Sequence, residues 1–172
     1  MFKFLRYIQI AVFVLSVISF NSCKLNYSMT GASIQPEVKT VSIHYFKNNA
    51  SLINPMLSQQ LTDALRDRFS SQTNLNLVNN NGDLDILGQI TNYNTSPIAI
   101  QGNETAAMNR LTITISVKYT NKFNEKQNFE TSFSRFENYP STQTLSTVES
   151  TIVKQIIDYL IDDIFNKTVV NW

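Results

Sequence analysis

Strict alternation of apolar and polar side chains over residues 111–120 constrains the fold of this chain more than any other feature. Successive side chains of a β-strand point to opposite faces, so this pattern predicts a strand with one buried side and one side in water. The intervening positions carry threonine, serine and lysine, and the apolar positions are Leu111, Ile113, Ile115, Val117 and Tyr119. The protein is therefore expected to contain a sheet that is covered on one face and open on the other.

A first amphipathic helix is predicted from Pro55 to Phe69. Asn54 is the expected N-cap, and Pro55 would occupy the first helical position, where its missing N–H is tolerated. Apolar residues recur at the spacing of one helical face: Leu57, Leu61, Ala64, Leu65 and Phe69.

A second helix is predicted after Pro140. Ser146 and Glu149 have the spacing of a capping box, in which the glutamate reaches back to the cap residue. A broad apolar stripe follows at helical spacing, and it contains Val148, Ile152, Ile156, Tyr159, Leu160 and Ile164.

Three further long strands and one short strand are predicted from alternation and turn residues. The long strands span residues 39–46, 84–93 and 127–136, and the short strand spans 75–78. Gly88 is expected to mark a bulge or a close approach, and Pro97 is expected to end its strand. The order of elements predicts an α+β fold with two helices packed on one face of a mostly antiparallel sheet of about four strands.

The amino terminus has the features of a secretory signal. Lys3 and Arg6 precede 14 mostly apolar residues from Tyr7 to Phe20, which is shorter than the ~20 residues that span a bilayer. Cys23, the only cysteine, follows the small Ser22, as in bacterial lipoproteins. We expect residues 1–22 to be a lipoprotein signal peptide and Cys23 to be acylated. An ordinary cleaved signal or an uncleaved anchor is the alternative, because Phe20 and Asn21 are unusual before a lipoprotein cysteine.

The expected mature chain would consist of a lipidated tether, residues 23–37, and one α+β domain, residues 38–172. Its 150 residues are enough for one domain that buries a core without a disulfide. Twelve basic residues face 13 acidic residues after removal of the signal, so the composition gives no case for nucleic-acid binding. Lys24 is not the aspartate that retains some lipoproteins at the inner membrane, which favours the periplasmic side of the outer membrane.

No group of residues in the sequence indicates a reaction, so we expect no enzyme, metal or cofactor. His44 is the only histidine, and a surface or rim position is expected for it. The acidic pairs Asp83 with Asp85 and Asp162 with Asp163 lack the order of a calcium loop, and we interpret them as solvated charges. A hydrolase that uses two unrecognised carboxylates would require a pocket in which they face each other.

The segment Gln101–Arg110, with the sequence QGNETAAMNR, precedes the alternating strand and is unusual for a loop. One interpretation is a β-bulge or edge segment that ends in a capping arginine. The other is a contact strip for a partner or an anionic headgroup, for which Arg110 would supply a bidentate grip.

Several stretches of the chain together resemble the LptE-like lipoproteins of lipopolysaccharide assembly. Beside the lipoprotein start, these are YSMTGASIQPE, QGNETAAMNRLTITI and IFNKTVVNW. The resemblance covers essentially the whole expected mature chain, and the chain is closest to a divergent branch with Asn-rich turns. The family fold, two helices on a mostly antiparallel sheet, agrees with the order of elements derived above.

The resemblance implies a non-enzymatic outer-membrane protein that sits as a plug in the lumen of the LptD β-barrel. Such proteins assist assembly of the barrel and delivery of lipopolysaccharide to the outer leaflet. Cys23 is the only residue that carries over directly. Arg110, Lys118 and Arg135 are hypothetical contacts with lipopolysaccharide or a partner, chosen because they are cations on predicted strands. The alternative is a periplasmic scaffold or regulator of cell-envelope synthesis, tethered to the outer membrane.

Overall fold

A computed structural model describes residues 34–52, 54–98 and 107–169. The predicted signal peptide, Cys23 and most of the predicted tether lie outside these residues, and so does most of the segment Gln101–Arg110. In chain order the described elements are β1 (Thr40–Ile43), β2 (Lys47–Asn48), α1 (Leu57–Gln72), β3 (Asn76–Val78), β4 (Leu84–Ile98), β5 (Met108–Asn121), β6 (Phe129–Pro140) and α2 (Leu145–Val169).

The described strands form one sheet in the order β3-β1-β4-β5-β6, and β2 pairs with β4 beyond the end of β1. The α+β class with two helices is confirmed. The prediction of about four mostly antiparallel strands is wrong in detail, because the sheet has six strands and is mixed. Strand β1 pairs in parallel with both β3 and β4, and β2 also pairs in parallel with β4. Parallel partners need crossover connections, which alternation alone does not reveal.

Strands β4, β5 and β6 form a long antiparallel meander. Residues Leu84–Ile98 pair with Met108–Asn121 along their whole length, with one irregularity between Ile90 and Asn92. The prediction that Pro97 ends its strand is wrong, because Pro97 lies opposite Asn109 near the end of this ladder. Strand β4 is therefore longer than the predicted 84–93.

The predicted alternation in β5 is confirmed. Ile113, Ile115 and Val117 have no exposed surface, whereas the threonines, serine and lysine between them face the other side. The buried side of the sheet packs against both helices in one core cluster. From the helices this cluster includes Leu57, Leu61, Leu65, Phe69, Ile156, Leu160 and Ile164.

Both helices begin differently from the prediction. Helix α1 begins at Leu57, and Asn54 accepts the backbone N–H of Met56 at 2.9 Å in the turn before it, so Asn54 does not cap the helix itself. The predicted capping box in α2 is also wrong, because Ser146 already lies inside the helix. Glu149 instead accepts the hydroxyl of Tyr93 and the side-chain amide of Asn54, which ties α2 to β4 and to the start of α1. Burial, together with this contact, raises the pKa of Tyr93 well above its ordinary value.

The prediction that Gly88 marks a close approach is confirmed, and the turn before β4 contains one residue with a left-handed backbone. In the turn before β4, Asn81 adopts a left-handed φ of 57°, as expected for an asparagine-rich turn. A Cβ atom on Gly88 would lie 2.0 Å from Cε1 of the buried Phe46, so Gly88 marks a close approach. The ring of Phe46 occupies the space that a side chain at residue 88 would need.

Candidate functional site: the open face of the sheet

The side of the sheet that faces away from the helices is polar, and we call it the open face. Within the described residues no helix or strand covers it. Its side chains follow from the register of β4, β5 and β6: Leu87, Gln89, Asn92, Asn94, Ser96, Arg110, Thr112, Thr114, Ser116, Lys118, Thr120, Glu130, Ser132, Ser134, Phe136 and Asn138. Hydroxyl and amide groups dominate this surface, so it is suited to a polar partner or a wet ligand interface.

A shallow cleft of about 540 Å³ lies at one end of the open face. Lys47 and Lys118 contribute two ammonium groups, and Glu130 lies opposite Lys118 on the neighbouring strand. Neither lysine makes an ion pair with another described residue. The other lining residues are His44, Tyr45, Leu87, Gly88, Gln89 and Ser116. The cleft therefore combines solvated cations with the exposed apolar surfaces of a tyrosine and a leucine.

His44 lies at the rim of this cleft, as predicted, and its Nε2 is 2.8 Å from Oδ1 of Asp85. The same carboxylate oxygen accepts the hydroxyl of the buried Ser42. The carboxylate thus lies between the hydroxyl and the imidazole, whereas a nucleophilic triad needs the imidazole between the other two groups. This cluster holds β1 against β4 and has no exposed nucleophile.

Arg110 lies at the opposite end of the open face from the cleft. Its Nε donates to Oδ1 of Asn138 at 3.0 Å, and its guanidinium carbon lies 3.8 Å from the centre of the Phe136 ring. A guanidinium over an aromatic face is a favourable cation–π contact. The arginine is therefore held against β6 with one side of its planar group stacked on an exposed ring.

Arg135 does not share the face of the other two predicted cations. It lies opposite Ile113 in the β5–β6 ladder, so it points to the helix side of the sheet. There it forms a bidentate ion pair with Asp163 of α2, with Nε to Oδ2 at 2.6 Å. This contact raises the pKa of Arg135. The sequence already indicated this side of the sheet. Phe129, Phe133 and Arg135 are separated by even numbers of residues, so their side chains point to the same face of β6.

The acidic pairs are more engaged than predicted. Oδ2 of Asp83 accepts the backbone N–H groups of Lys39 and Thr40 at 2.9 and 3.0 Å, and Asp162 and Asp163 bind Arg68 and Arg135. The interpretation as turn and helix-surface charges is confirmed in part, because the side chain of Asp162 is 49% exposed, but these carboxylates also bind other parts of the fold. They fasten elements of the fold, and within the described residues no group of three or more His, Cys, Asp or Glu side chains could hold a metal ion.

The hydrolase alternative requires two carboxylates that face each other across a pocket. The cleft on the open face is lined by one carboxylate, that of Glu130.

Within the part of the chain that the structure describes, neither helix has the length and apolar character needed to cross a membrane.

The fold and the open face define a class of small α+β domain in which two helices cover one side of a sheet and the other side stays polar. Residues 38–168 match the LptE family of lipopolysaccharide-assembly proteins. Because this match covers most of the chain, the protein belongs to the LptE family. The predicted resemblance is therefore confirmed at the level of the family.

Two of the solved structures below share this fold at low sequence identity, and the third has a lower TM-score. A protein from Xanthomonas campestris superimposes with a TM-score of 0.51 and 10% identity, covering 81% of this chain and 90% of its own. A hypothetical protein from Chlamydia trachomatis gives 0.52 and 7%, covering 77% and 99%. A minor lipoprotein from Acinetobacter baumannii gives 0.47 and 17%, covering 72% and 91%. A comparison with curated proteins found no match in sequence.

Proposed function

We propose that this protein is an outer-membrane lipoprotein that acts as the plug and assembly partner of an LptD-type β-barrel. In this role it helps to deliver lipopolysaccharide to the outer leaflet. The observation that carries the proposal is the family match over residues 38–168. The function is one of binding and assembly and involves no reaction.

The open face supports the role of a plug. The lumen of a large outer-membrane barrel is polar and filled with water, so a domain inside it must present a polar surface and keep its core covered. Here the core lies between the sheet and the two helices, and hydroxyl and amide groups occupy the opposite side.

The amino-terminal sequence supports the membrane anchor. A lipoprotein-type signal precedes Cys23, and each buried methylene of an acyl chain contributes ~0.8 kcal/mol to membrane binding. One acyl chain alone binds only marginally, so several chains on Cys23 would be needed for stable attachment. The domain would then stay at the periplasmic side of the outer membrane.

Arg110 and Lys118 are the proposed contacts with lipopolysaccharide on the open face. They lie on one strand and on one side of it, eight residues apart, which corresponds to roughly 26 Å along β5. Lys118 is exposed and unpaired within the described residues, and Arg110 is stacked on Phe136. Arg135 remains a third proposed contact, but its ion pair with Asp163 occupies much of its hydrogen-bonding capacity.

Purification of the tagged protein from membranes in mild detergent tests the partnership. We expect a β-barrel with heat-modifiable migration to co-purify with the wild-type chain. Recovery of cell-wall synthesis proteins without a barrel would favour the tethered scaffold or regulator and would overturn the plug. Cys23→Ser should release the protein from membranes and impair lipopolysaccharide export, and normal export by a released variant would contradict the anchored role.

A binding assay with purified lipopolysaccharide tests the contact residues. Arg110→Ala and Lys118→Ala should each weaken binding several-fold, and Arg135→Ala should weaken it less. Lys154→Ala is the matched control, because Lys154 is an exposed cation on α2, away from the open face. Equal losses of lipopolysaccharide affinity in all four variants would indicate that binding depends on net charge alone, and this result would contradict the proposed contacts.

A further inference from the structure

Strand β6 forms one edge of the described sheet and has an unpaired side. Its ladder is with β5, and β5 is its only strand partner within the described residues. It is 12 residues long, whereas β3 at the opposite edge has three residues. No backbone hydrogen bond from β6 to a described residue outside that ladder extends across its outer side. Among the described residues, the outward N–H and C=O groups of β6 thus have no strand partner.

The sequence of β6 carries only part of the protection that usually prevents edge-to-edge pairing. Natural edge strands are kept apart by short length, by proline, or by charged side chains, including charges that point to the covered side of the sheet. Strand β6 is long, contains no lysine, and has its proline, Pro140, at the last residue. Its charged residues are Glu130, Arg135 and Glu137, and they oppose pairing with a strand that does not match them. A partner of β6 must therefore present complementary charges.

The residues of β6 are complementary to themselves in one antiparallel register. When two copies are placed antiparallel with Phe136 opposite Phe136, Arg135 of each copy faces Glu137 of the other. In the same register Phe133 faces Tyr139, and Ser134 faces Asn138. Aromatic pairs, polar pairs and opposite charges are the cross-strand pairs that stabilise sheets. All opposed pairs from residue 133 to residue 139 are therefore favourable.

Neighbouring registers lose this complementarity. Opposed side chains of two paired strands must lie on the same face of the sheet. In a pair related by a two-fold axis, the register can therefore change only if the axis passes through another residue of β6. Centring on Ser134 places Arg135 opposite Phe133 and Glu137 opposite Thr131, which leaves both charges without an opposed partner. The register centred on Phe136 is thus favoured by charge.

Arg135 is positioned in advance for such a contact. Asp163 fixes its guanidinium from α2, yet the Arg135 side chain remains 49% exposed. Phe136 on the open face is 47% exposed. Pairing across the edge would cover surface on both sides of β6 and would place a second carboxylate against the free part of the guanidinium.

We propose that β6 pairs with β6 of a second copy of this chain, antiparallel and with a two-fold axis at Phe136. The axis is perpendicular to the sheet, so the helices of both copies lie on one side and their open faces form one continuous surface on the other. This inference does not depend on the proposed barrel partner, and either can fail without the other.

Site-specific cross-linking in the Cys23→Ser chain, which has no other thiol, tests the two-fold axis. Phe136→Cys should form a disulfide-linked dimer under mild oxidation. Ser132→Cys is the matched control on the same strand and face, because the two copies of residue 132 would be eight residues apart, roughly 27 Å along the strand. Absence of a cross-link at residue 136, or equal cross-linking at residue 132, would overturn the proposal.

Sedimentation analysis of charge variants tests the register without a covalent bond. Glu137→Arg places two arginines opposite each other and should raise the dimer dissociation constant at least tenfold. Glu130→Arg makes the same change of charge on β6 outside the paired residues and should leave dimerisation nearly unchanged. A wild-type chain that stays monomeric at high micromolar concentration, or a Glu137→Arg chain that dimerises normally, would contradict the proposed pairing.

Discussion

The two sides of β5 differ completely although they belong to one strand. On the helix side, Ile113, Ile115 and Val117 are fully buried in the core. On the open side, Arg110 and Lys118 lie at either end of a row of three hydroxyl residues, which touch no other layer among the described residues. One strand thus contributes buried core residues on one side and a polar surface on the other. Substitutions on the two sides should therefore have separable effects.

The largest effect is expected on the helix side. Ile115→Ala removes a fully buried side chain from the centre of the sheet and leaves a cavity, which should cost about 3 kcal/mol of unfolding free energy. Chemical denaturation of the variant measures this loss. A change below about 1 kcal/mol would mean that the core can collapse around the missing atoms.

Gly88→Ala tests how tightly the core side is packed at β4. The new methyl group would overlap the buried ring of Phe46, and such overpacking should cost about 2 kcal/mol. In a Phe46→Leu background, Gly88→Ala should cost less unfolding free energy than it does in the wild type, because the smaller side chain at residue 46 leaves room for the new methyl group. A thermal melt in which Gly88→Ala equals the wild type would show that the ring moves without cost.

Asp83→Asn tests a polar group that supports the fold. In the wild type, the Asp83 carboxylate accepts a hydrogen bond from the Lys39 N–H, and it also interacts with Thr40 and with the charge of Lys122. These interactions hold the pKa of Asp83 below its ordinary value of 3.8. We expect Asp83→Asn to lower the free energy of unfolding by about 1 kcal/mol at neutral pH. The loss is small because solvent screens the charge of this exposed carboxylate.

The pH dependence of this effect has a definite sign. Because the pKa of Asp83 is lower in the folded state, its contribution is complete above 3.8 and disappears as the pH falls through the folded-state value. The difference between wild type and variant should therefore narrow in acid. A difference in unfolding free energy that stays constant from neutral to acidic pH would contradict the role of the charge.

The smallest effect on stability is expected on the open face. Lys118→Ala removes an exposed side chain that makes no ion pair within the described residues, so its unfolding free energy should change by less than about 0.5 kcal/mol. The same variant should bind lipopolysaccharide several-fold more weakly if the proposed contact is correct. A large loss of stability would show that the two sides of β5 are not separable.

Most of the core could be predicted because local patterns determine it. The alternation over residues 111–120 and the helical spacing of Leu57, Leu61 and Leu65 both reflect burial of one side of an element. The position of β1 could not be predicted in this way, because pairing between Thr40 and Asn76 depends on contacts far apart in sequence. Pro97 was misinterpreted because proline is tolerated close to the end of a strand, where few ladder bonds are lost.

The candidate site was predictable in part. The polar side of β5 followed from the sequence, and so did the choice of Arg110 and Lys118 as cations on it. The side of Arg135 could also have been inferred from its spacing relative to Phe129 and Phe133, but its partner Asp163 on α2 is known only from the folded structure. The cleft was missed because His44 with Lys47, Lys118, and Glu130 come from three segments of the chain that only the folded sheet brings together.

The position of β1 between β3 and β4 has a consequence for the kinetics of folding. The β4–β5–β6 meander can close through short connections between neighbours in the chain, but β1 must wait for partners at least 36 residues further on, from Thr40 to Asn76. Insertion of β1 is therefore expected to be the slow step. Until it occurs, the backbone N–H and C=O groups on the β1 side of β4 have no strand partner, so this edge of the meander is open to pairing with another strand.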